Sequence, residues 1–276
     1  LGGTLVGVVA LSISTHGWRS TALVIGILIW ILGFPLATMI RHRPQDYGYL
    51  PDGDPVEEQN DSATSERHVT PQPDFTTKQA LRTQAFWLIS ISHSISLLIV
   101  GAVTLHEIPL LTDAGISYGM AATILGFMTG VAMVGRVSGG YIGDRVGMKP
   151  TLVVCFVLMT IGALILATAS TVPQALVFAV VYGLGYGARA PILIALRGEY
   201  FGGRNFATIM GMSQPILMIG IFIGPIAAGF AYDLQGSYTM SFTIISFLNL
   251  FGAILVLFIK RPKNPNSLVA GEQAGQ

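Results

Sequence analysis

Seven runs of mostly apolar residues divide the chain, at residues 20–40, 86–106, 119–139, 151–170, 174–196, 207–231 and 239–260. An α-helix needs roughly 20 such residues to cross about 30 Å of hydrocarbon, and each run is near that length. The opening stretch "LGGTLVGVVALSIS", residues 1–14, reads as the end of an eighth span. It starts inside an apolar run without Met and shows no signal-peptide pattern, so the chain reads as part of a longer protein. In "LISISHSISLLIV" (88–100) the alternation of Ile and Ser imitates a strand. Hydrocarbon offers no partners to an open strand, so a segment of this length must be helical. The pattern predicts an all-α membrane protein, a polytopic helix bundle.

The one long polar segment, residues 41–84, is rich in Pro, Asp, Glu, Gln, Ser and Thr. That composition buries no core and reads as a linker between two bundles. Near its end Thr76 is followed three residues later by Gln79, a capping-box pattern that predicts a short helix leading into the span at 86. Residues 1–40 then close a first bundle, 41–84 form a central loop, 85–261 make a six-helix bundle and 262–276 a tail. A weak internal repeat supports two halves: "HGWRSTALVIGIL" (16–28) and "QGSYTMSFTIISF" (235–247) each set a Gly turn before an apolar helix.

Composition agrees with the membrane reading. Hydrophobic residues make up 52% of the chain and charged residues 11%, against about 25% charged in soluble domains. The net charge of +1 gives no reason to expect a nucleic-acid partner. Cys155 is the single cysteine, so there is no disulfide framework and a packing role is expected. Of the fifteen Lys and Arg residues, only Arg19 and Arg189 fall outside one set of segments, which holds Arg41, Arg43, Arg67, Lys78, Arg82, Arg136, Arg145, Lys149, Arg197, Arg204, Lys260, Arg261 and Lys263. The positive-inside rule makes that side cytoplasmic. A multi-pass protein of the plasma or inner membrane follows, with the 41–84 loop and the C-terminus in the cytoplasm.

"GRVSGGYIGDRVGMKP" (135–150) is the most specific stretch. Glycines at 135, 139, 143 and 147 recur every four residues, a spacing that lets another backbone approach one helix face. Asp144 and Arg145 mark the exit from the span, and Pro150 suits the first turn of the next helix. The stretch resembles the loop signature of the major facilitator superfamily, G-x-x-x-D-R-x-G-R-[RK], at Gly140, Asp144, Arg145, Gly147 and Lys149, and departs from it at Met148. These residues are expected to be gating or structural, as is Arg136 at the inner end of its span. The resemblance implies part of helix 5 through helix 12 of a twelve-helix protein. "GWR" (17–19), "RPQDYGYLPDG" (43–53), "LTDAGIS" (111–117) and "EYFGGRNFATIMG" (199–211) are similar to the branch with oxalate/formate exchangers and monocarboxylate transporters. In "GIFIGPIAAG" (220–229), Gly220, Gly224 and Gly229 with Pro225 predict a bent, close-packed span or a hinge.

Arg189 lies in "GLGYGARAPILIALRGEYFG" (183–202), inside an otherwise apolar run. On insertion scales such a charge costs roughly 2.5–3.5 kcal/mol at a helix centre. Pro191 removes the bond to the Gly187 carbonyl, and an interrupted helix beside an intramembrane charge points to a transporter's binding site. Arg189 is eight residues from Arg197, taken as the cytoplasmic end, so about 12 Å deep. His93 and Gln214 are each eight residues into their spans, which predicts all three at one level. Ser90, His93, Ser94, Leu97 and Gly101 fall on one helix face, read as a cavity lining, with Ser92 and Ser96 on another. A guanidinium matches a carboxylate bidentately; the alternative is an arginine that snorkels to the interface. His106 and Glu107 read as solvated residues at the outer mouth. With no Asp or Glu inside a span, proton coupling falls on His93, which titrates near neutral pH, or on helices outside the chain.

There is no HExxH, nucleophile elbow, phosphate-binding glycine loop or clustered metal-ligand motif, so neither an enzyme nor a cofactor is expected. The resemblance and Arg189 together imply a secondary transporter, functional as a monomer, with Arg189, His93 and Gln214 binding the substrate. It would move a small organic anion, a mono- or dicarboxylate, by rocker-switch alternating access, as proton symport or anion exchange (antiport). A drug or neutral-solute carrier and a non-transporting sensor or scaffold are the rival readings.

Overall fold

The computed structural model describes residues 9, 12, 13, 15–39 and 74–263. Most of the opening run, the linker up to residue 73 and the tail from residue 264 lie outside the described residues. The chain divides into two units, Leu1–Thr70 and Pro71–Gln276. In the first, α1 (Trp18–Met39) is apolar and exposed on almost every side, with Thr21 its buried residue. A helix apolar all round is stable only in lipid or among other helices. Gly17 precedes it at φ +79°, and Arg19 lies 4.8 Å above the Trp18 ring.

The second unit holds α2 (Thr77–Leu81), α3 (Gln84–Asp113), α4 (Tyr118–Val146), α5 (Met148–Ala167), α6 (Val172–Phe201), α7 (Phe206–Gln235) and α8 (Thr239–Leu257). Together with α1, the six long helices make seven that are long and apolar enough to cross a membrane, the number read from the sequence. The capping box forms as expected: the Gln79 amide N donates to the Thr76 hydroxyl, and the Thr76 amide N donates to Gln79 Oε1 at 2.8 Å.

Helix ends differ from the apolar runs for a physical reason. Hydropathy marks where a helix meets hydrocarbon, whereas the helix itself continues until a cap stops it. α4 runs on to Val146 and ends at Gly147, φ +105°; α6 runs on to Phe201 and ends at Gly202, φ +80°. A left-handed conformation suits glycine at these stops. The expected interruption of α6 is absent: the helix is continuous through Pro191.

Glycines lock the bundle instead. A Cβ on Gly187 would overlap the Ala132 carbonyl of α4, and one on Gly139 would overlap Ala188 of α6. Gly135 meets Leu184 and Gly143 meets Ile192, so contacts advance in step along α4 and α6, which run parallel. A second parallel seam joins α3 and α7, where Gly220 abuts Ser94 and Gly224 abuts Leu98. α5 closes on α6 from the other side, Gly162 against Tyr182 and Gly185 against the Cys155 carbonyl. The expected glycine face thus holds at 135, 139 and 143, while Gly147 leaves it to make the turn and Gly140 faces open space.

The end of the bundle carrying Lys78, Arg82, Arg145, Lys149, Arg204 and Arg261 is braced by polar contacts, and is called the basic end below. Lys149 Nζ donates to the Leu257 and Ile259 carbonyls at 2.6 and 2.9 Å, closing the C-terminus of α8. The Phe75 backbone N–H donates to the Phe201 carbonyl at 3.1 Å and the Asn205 amide donates to the Phe75 carbonyl at 2.9 Å.

Gly187→Val and Gly220→Val force backbones apart and should each destabilise the bundle by about 1–3 kcal/mol or more. Gly140→Ala, in a helix interior with open space, should be neutral or stabilise by up to about 1 kcal/mol. Unfolding of the full-length protein in detergent separates the two classes.

Candidate functional site

α6 presents one stripe toward α3. At 100° per residue, Tyr182, Tyr186, Arg189, Leu193 and Arg197 fall within about 80° of each other. The glycine contacts set other faces of α6 against α4 and α5, with the Tyr182 backbone at the edge of the α5 contact, and Arg189 and Arg197 reach across to α3. On α3, His93, Ser96 and Glu107 share a stripe about 60° wide. The two stripes meet through long side chains.

Arg189 is 3% exposed, and its Nη1 donates to Ser96 Oγ at 2.9 Å. Its Nε is buried without a partner. Ser96 in turn donates to Met159 Sδ at 3.9 Å. Arg197 is 1% exposed, and both of its Nη atoms donate to His93 Nδ1, at 3.2 and 3.3 Å. A guanidinium has no acceptor, so Nδ1 must be the unprotonated nitrogen and the ring proton sits on Nε2. Two guanidinium-bearing residues are therefore buried along α6, eight residues or about 12 Å apart. Among the described residues the ion pair joins Arg261 to Glu199, 3.9 Å apart and exposed, and no carboxylate pairs with either buried arginine. Burying one ion costs several kcal/mol even after relaxation, and one or two hydrogen bonds each return only part of that.

The structure changes four sequence expectations here. Arg197 is not a loop residue at a span's end but a buried residue within α6. Depth must be counted from Phe201, twelve residues beyond Arg189, and Ser96 is likewise twelve residues into α3. Both lie about 18 Å from the basic end, which explains why Arg189 meets Ser96 rather than His93. The face expected to line a cavity is spent on packing: Ser94 donates to the Ile216 carbonyl at 2.6 Å, and Gly101 closes on Ile221. Nor are His106 and Glu107 solvated loop residues. Both lie inside α3, where Glu107 is fully buried and His106 is hydrogen-bonded to the Pro225 carbonyl at 3.0 Å and the Tyr238 hydroxyl at 3.2 Å.

Gln214 is exposed on α7, and the hydrogen bonds of Arg189 and Arg197 go to Ser96, His93 and the Leu193 carbonyl instead. Arg136 is exposed too, and with α4 ending at Val146 it sits ten residues inside the helix, not at its inner end. In the loop motif, Arg145 stacks over the Tyr141 ring at 4.2 Å, Asp144 is exposed without an ion pair among the described residues, and Lys149 caps α8. A crevice of about 230 Å³ between α4, α5 and α6 is lined mainly by apolar side chains such as Ile142, Val154, Leu158 and Leu184. It holds no charged group, and its polar side chains, Ser138 and Thr151, bond to backbone carbonyls one turn earlier in the chain. Sequence reasoning missed Ser96, Arg197 and Tyr182; the signal for all three was their place on the stripes.

The sequence profile of the Major Facilitator Superfamily covers residues 1–172 and again 108–275. The chain belongs to this superfamily. Its relatives within the superfamily are named as transporters, not enzymes. Monocarboxylate transporter 12 of Mus musculus is 24% identical over 278 residues, which is 93% of this chain and 56% of that protein. Monocarboxylate transporter 13 of Rattus norvegicus is 32% identical over 152 residues, 54% of this chain and 35% of that protein. Myo-inositol transporter 3C of Cryptococcus neoformans is 30% identical over 158 residues, 54% of this chain and 24% of that protein. This major facilitator chain thus spans about half the length, 56%, of the first of these relatives.

His93→Leu leaves the Arg197 guanidinium with only a long bond to the Leu193 carbonyl, 3.5 Å, and should cost about 1.5–3 kcal/mol, the value of a hydrogen bond to a charged group. Gln214→Leu, at an exposed site, should stay within about 0.5 kcal/mol. Chemical unfolding of the two variants in detergent checks the contrast.

Proposed function

We propose that the full-length protein is a secondary active transporter of a small organic anion, a mono- or dicarboxylate, working by alternating access. One observation carries the reading: two buried guanidinium groups, Arg189 and Arg197, lie on one stripe with no carboxylate paired to either among the described residues. Such a pair attracts an anion strongly, because the low dielectric that makes it costly alone also strengthens any compensating contact. The unpartnered Nε of Arg189 leaves a donor for a carboxylate oxygen. The names of the monocarboxylate transporters support the same substrate class.

Arg136 and Gln214 extend the reading. They lie ten residues from the end of α4 and eight from the start of α7, both exposed. At about 15 and 12 Å from the basic end, an exposed guanidinium turned to lipid is expensive. Faces turned to a polar path fit better, and give Arg136 the role of a third cation for the anion to meet and Gln214 that of a polar lining. The basic end is the cytoplasmic one on this reading, and the membrane is the plasma or inner membrane. The motif residues Gly140, Asp144, Arg145, Gly147 and Lys149 shape the loop at that end.

A neutral polyol is the second reading, favoured by the inositol transporter among the relatives. Counterflow of labelled carboxylates and of inositol into liposomes holding the full-length protein separates the two. Carboxylate exchange is expected, with a loss of about tenfold or more in Arg189→Gln, the equivalent of one charge-assisted hydrogen bond. Inositol exchange that is indifferent to Arg189→Gln overturns the anion reading.

A further inference from the structure

Glu107 is the one acidic side chain buried within the six-helix bundle's described residues, at 0% exposure, and neither of its carboxyl oxygens has a hydrogen-bond partner. An ionised carboxylate left this way costs far more than a neutral acid. It shares the α3 stripe with His93 and Ser96, eleven residues beyond Ser96. Tyr182, whose hydroxyl is buried and also without a partner, lies seven residues from Arg189 on α6, at a level between Arg189 and Glu107. Three side chains with unsatisfied polar atoms, Glu107, Tyr182 and Arg189, thus follow one another along the α3–α6 seam.

We propose that Glu107 is the proton-binding site that couples transport to a pH gradient, with Tyr182 linking it to the anion-binding arginines. The inference rests on the anion-transporter reading above for its second half only. The step is a plain acid–base one. The Glu107 O–H bond breaks, its proton passes to water at the open side, and the electron pair stays on the carboxylate; uptake from the other side reverses it. His93 does not take this role while Arg197 holds its Nδ1 as an acceptor, since protonation there sets donor against donor.

The surroundings leave Glu107 free to titrate. On its own helix, His106 is engaged by Tyr238 and Pro225, and Asp113 lies at the helix end beside Tyr232. On the neighbouring helices the titratable groups toward this end are Tyr182 on α6, Tyr232 and Asp233 on α7, Tyr238 before α8 and the exposed Tyr118 at the start of α4; α5 carries none toward this end. None of them pairs with the carboxyl.

The coupling has a sign and a size. An anion at Arg189 disfavours a negative charge on Glu107, so anion and proton favour each other's binding, and the effect is reciprocal. Ser96 and Glu107 are about 16 Å apart along α3. Unit charges at that separation, in an effective dielectric of about 20, change each other's affinity by about fivefold.

Two measurements on the full-length protein test this. Infrared difference spectroscopy of wild type against Glu107→Gln, near neutral pH and without substrate, should show the carbonyl band of a protonated carboxylic acid in wild type only, fading as pH rises. Identical spectra overturn the proton site, whatever the substrate is. If Glu107→Gln does not insert, Glu107→Asp should shift the band rather than delete it, and an unshifted band overturns the assignment. In liposomes, the half-saturating carboxylate concentration of wild type should rise about fivefold as Glu107 loses its proton, and this dependence should vanish in Glu107→Gln together with accumulation driven by a pH gradient. A variant that still accumulates substrate like wild type overturns the coupling. Absence of any carboxylate transport defeats the anion reading instead, and the infrared result still decides the proton site.

Discussion

Backbone-to-backbone contact at glycine is the constraint on which the bundle depends. Where Gly187 meets Ala132, or Gly220 meets Ser94, no side chain stands between the helices. In lipid there is little hydrophobic drive to join helices, so close dispersion contact has to do it. That contact also fixes rotation. With α6 held against α4 and α5 at its glycine contacts, its remaining face is determined, and that face carries Arg189 and Arg197, with Tyr182 at its border on α5. The polar seam is a consequence of where the glycines are.

Desolvation then shapes the chemistry. Two arginines are out of water with a serine, a neutral histidine and one backbone carbonyl for partners, and a carboxylic acid stands further along α3 with none. A bundle built only for stability would gain by replacing such groups with apolar ones. Their presence along one stripe is the reason to read the seam as a place where charge is moved or met.

Much of this was legible in the sequence, and the failures share a cause. Helix number and the glycine seam at 135, 139 and 143 followed from run length and a four-residue spacing, which are properties of the chain alone. The depth argument failed because hydropathy put the end of one span at Arg197 and of another at residue 106, whereas capping carries the helices to Phe201 and Asp113. That error hid Arg197 as a buried cation and Glu107 as a buried acid, and it set Arg189 level with His93 instead of Ser96. Pro191 was read as a break, yet a proline costs its helix one backbone hydrogen bond, and here packing on both sides keeps α6 continuous. The serine-rich face of α3 was taken for a lining because sequence cannot say which polar face a neighbouring helix claims.

The two glycine seams have one further consequence. Each is a parallel pair, α4 with α6 and α3 with α7, and each is locked at backbone level. Between α3 and α6, by contrast, the polar link runs through extended arginine side chains ending on a serine and an imidazole. A locked pair slides only by opening voids, which close packing resists. An arginine follows a displacement of a few ångströms by changing rotamer. Mechanical compliance and polarity therefore coincide in this bundle: the joint that gives most easily is the one that carries the charge.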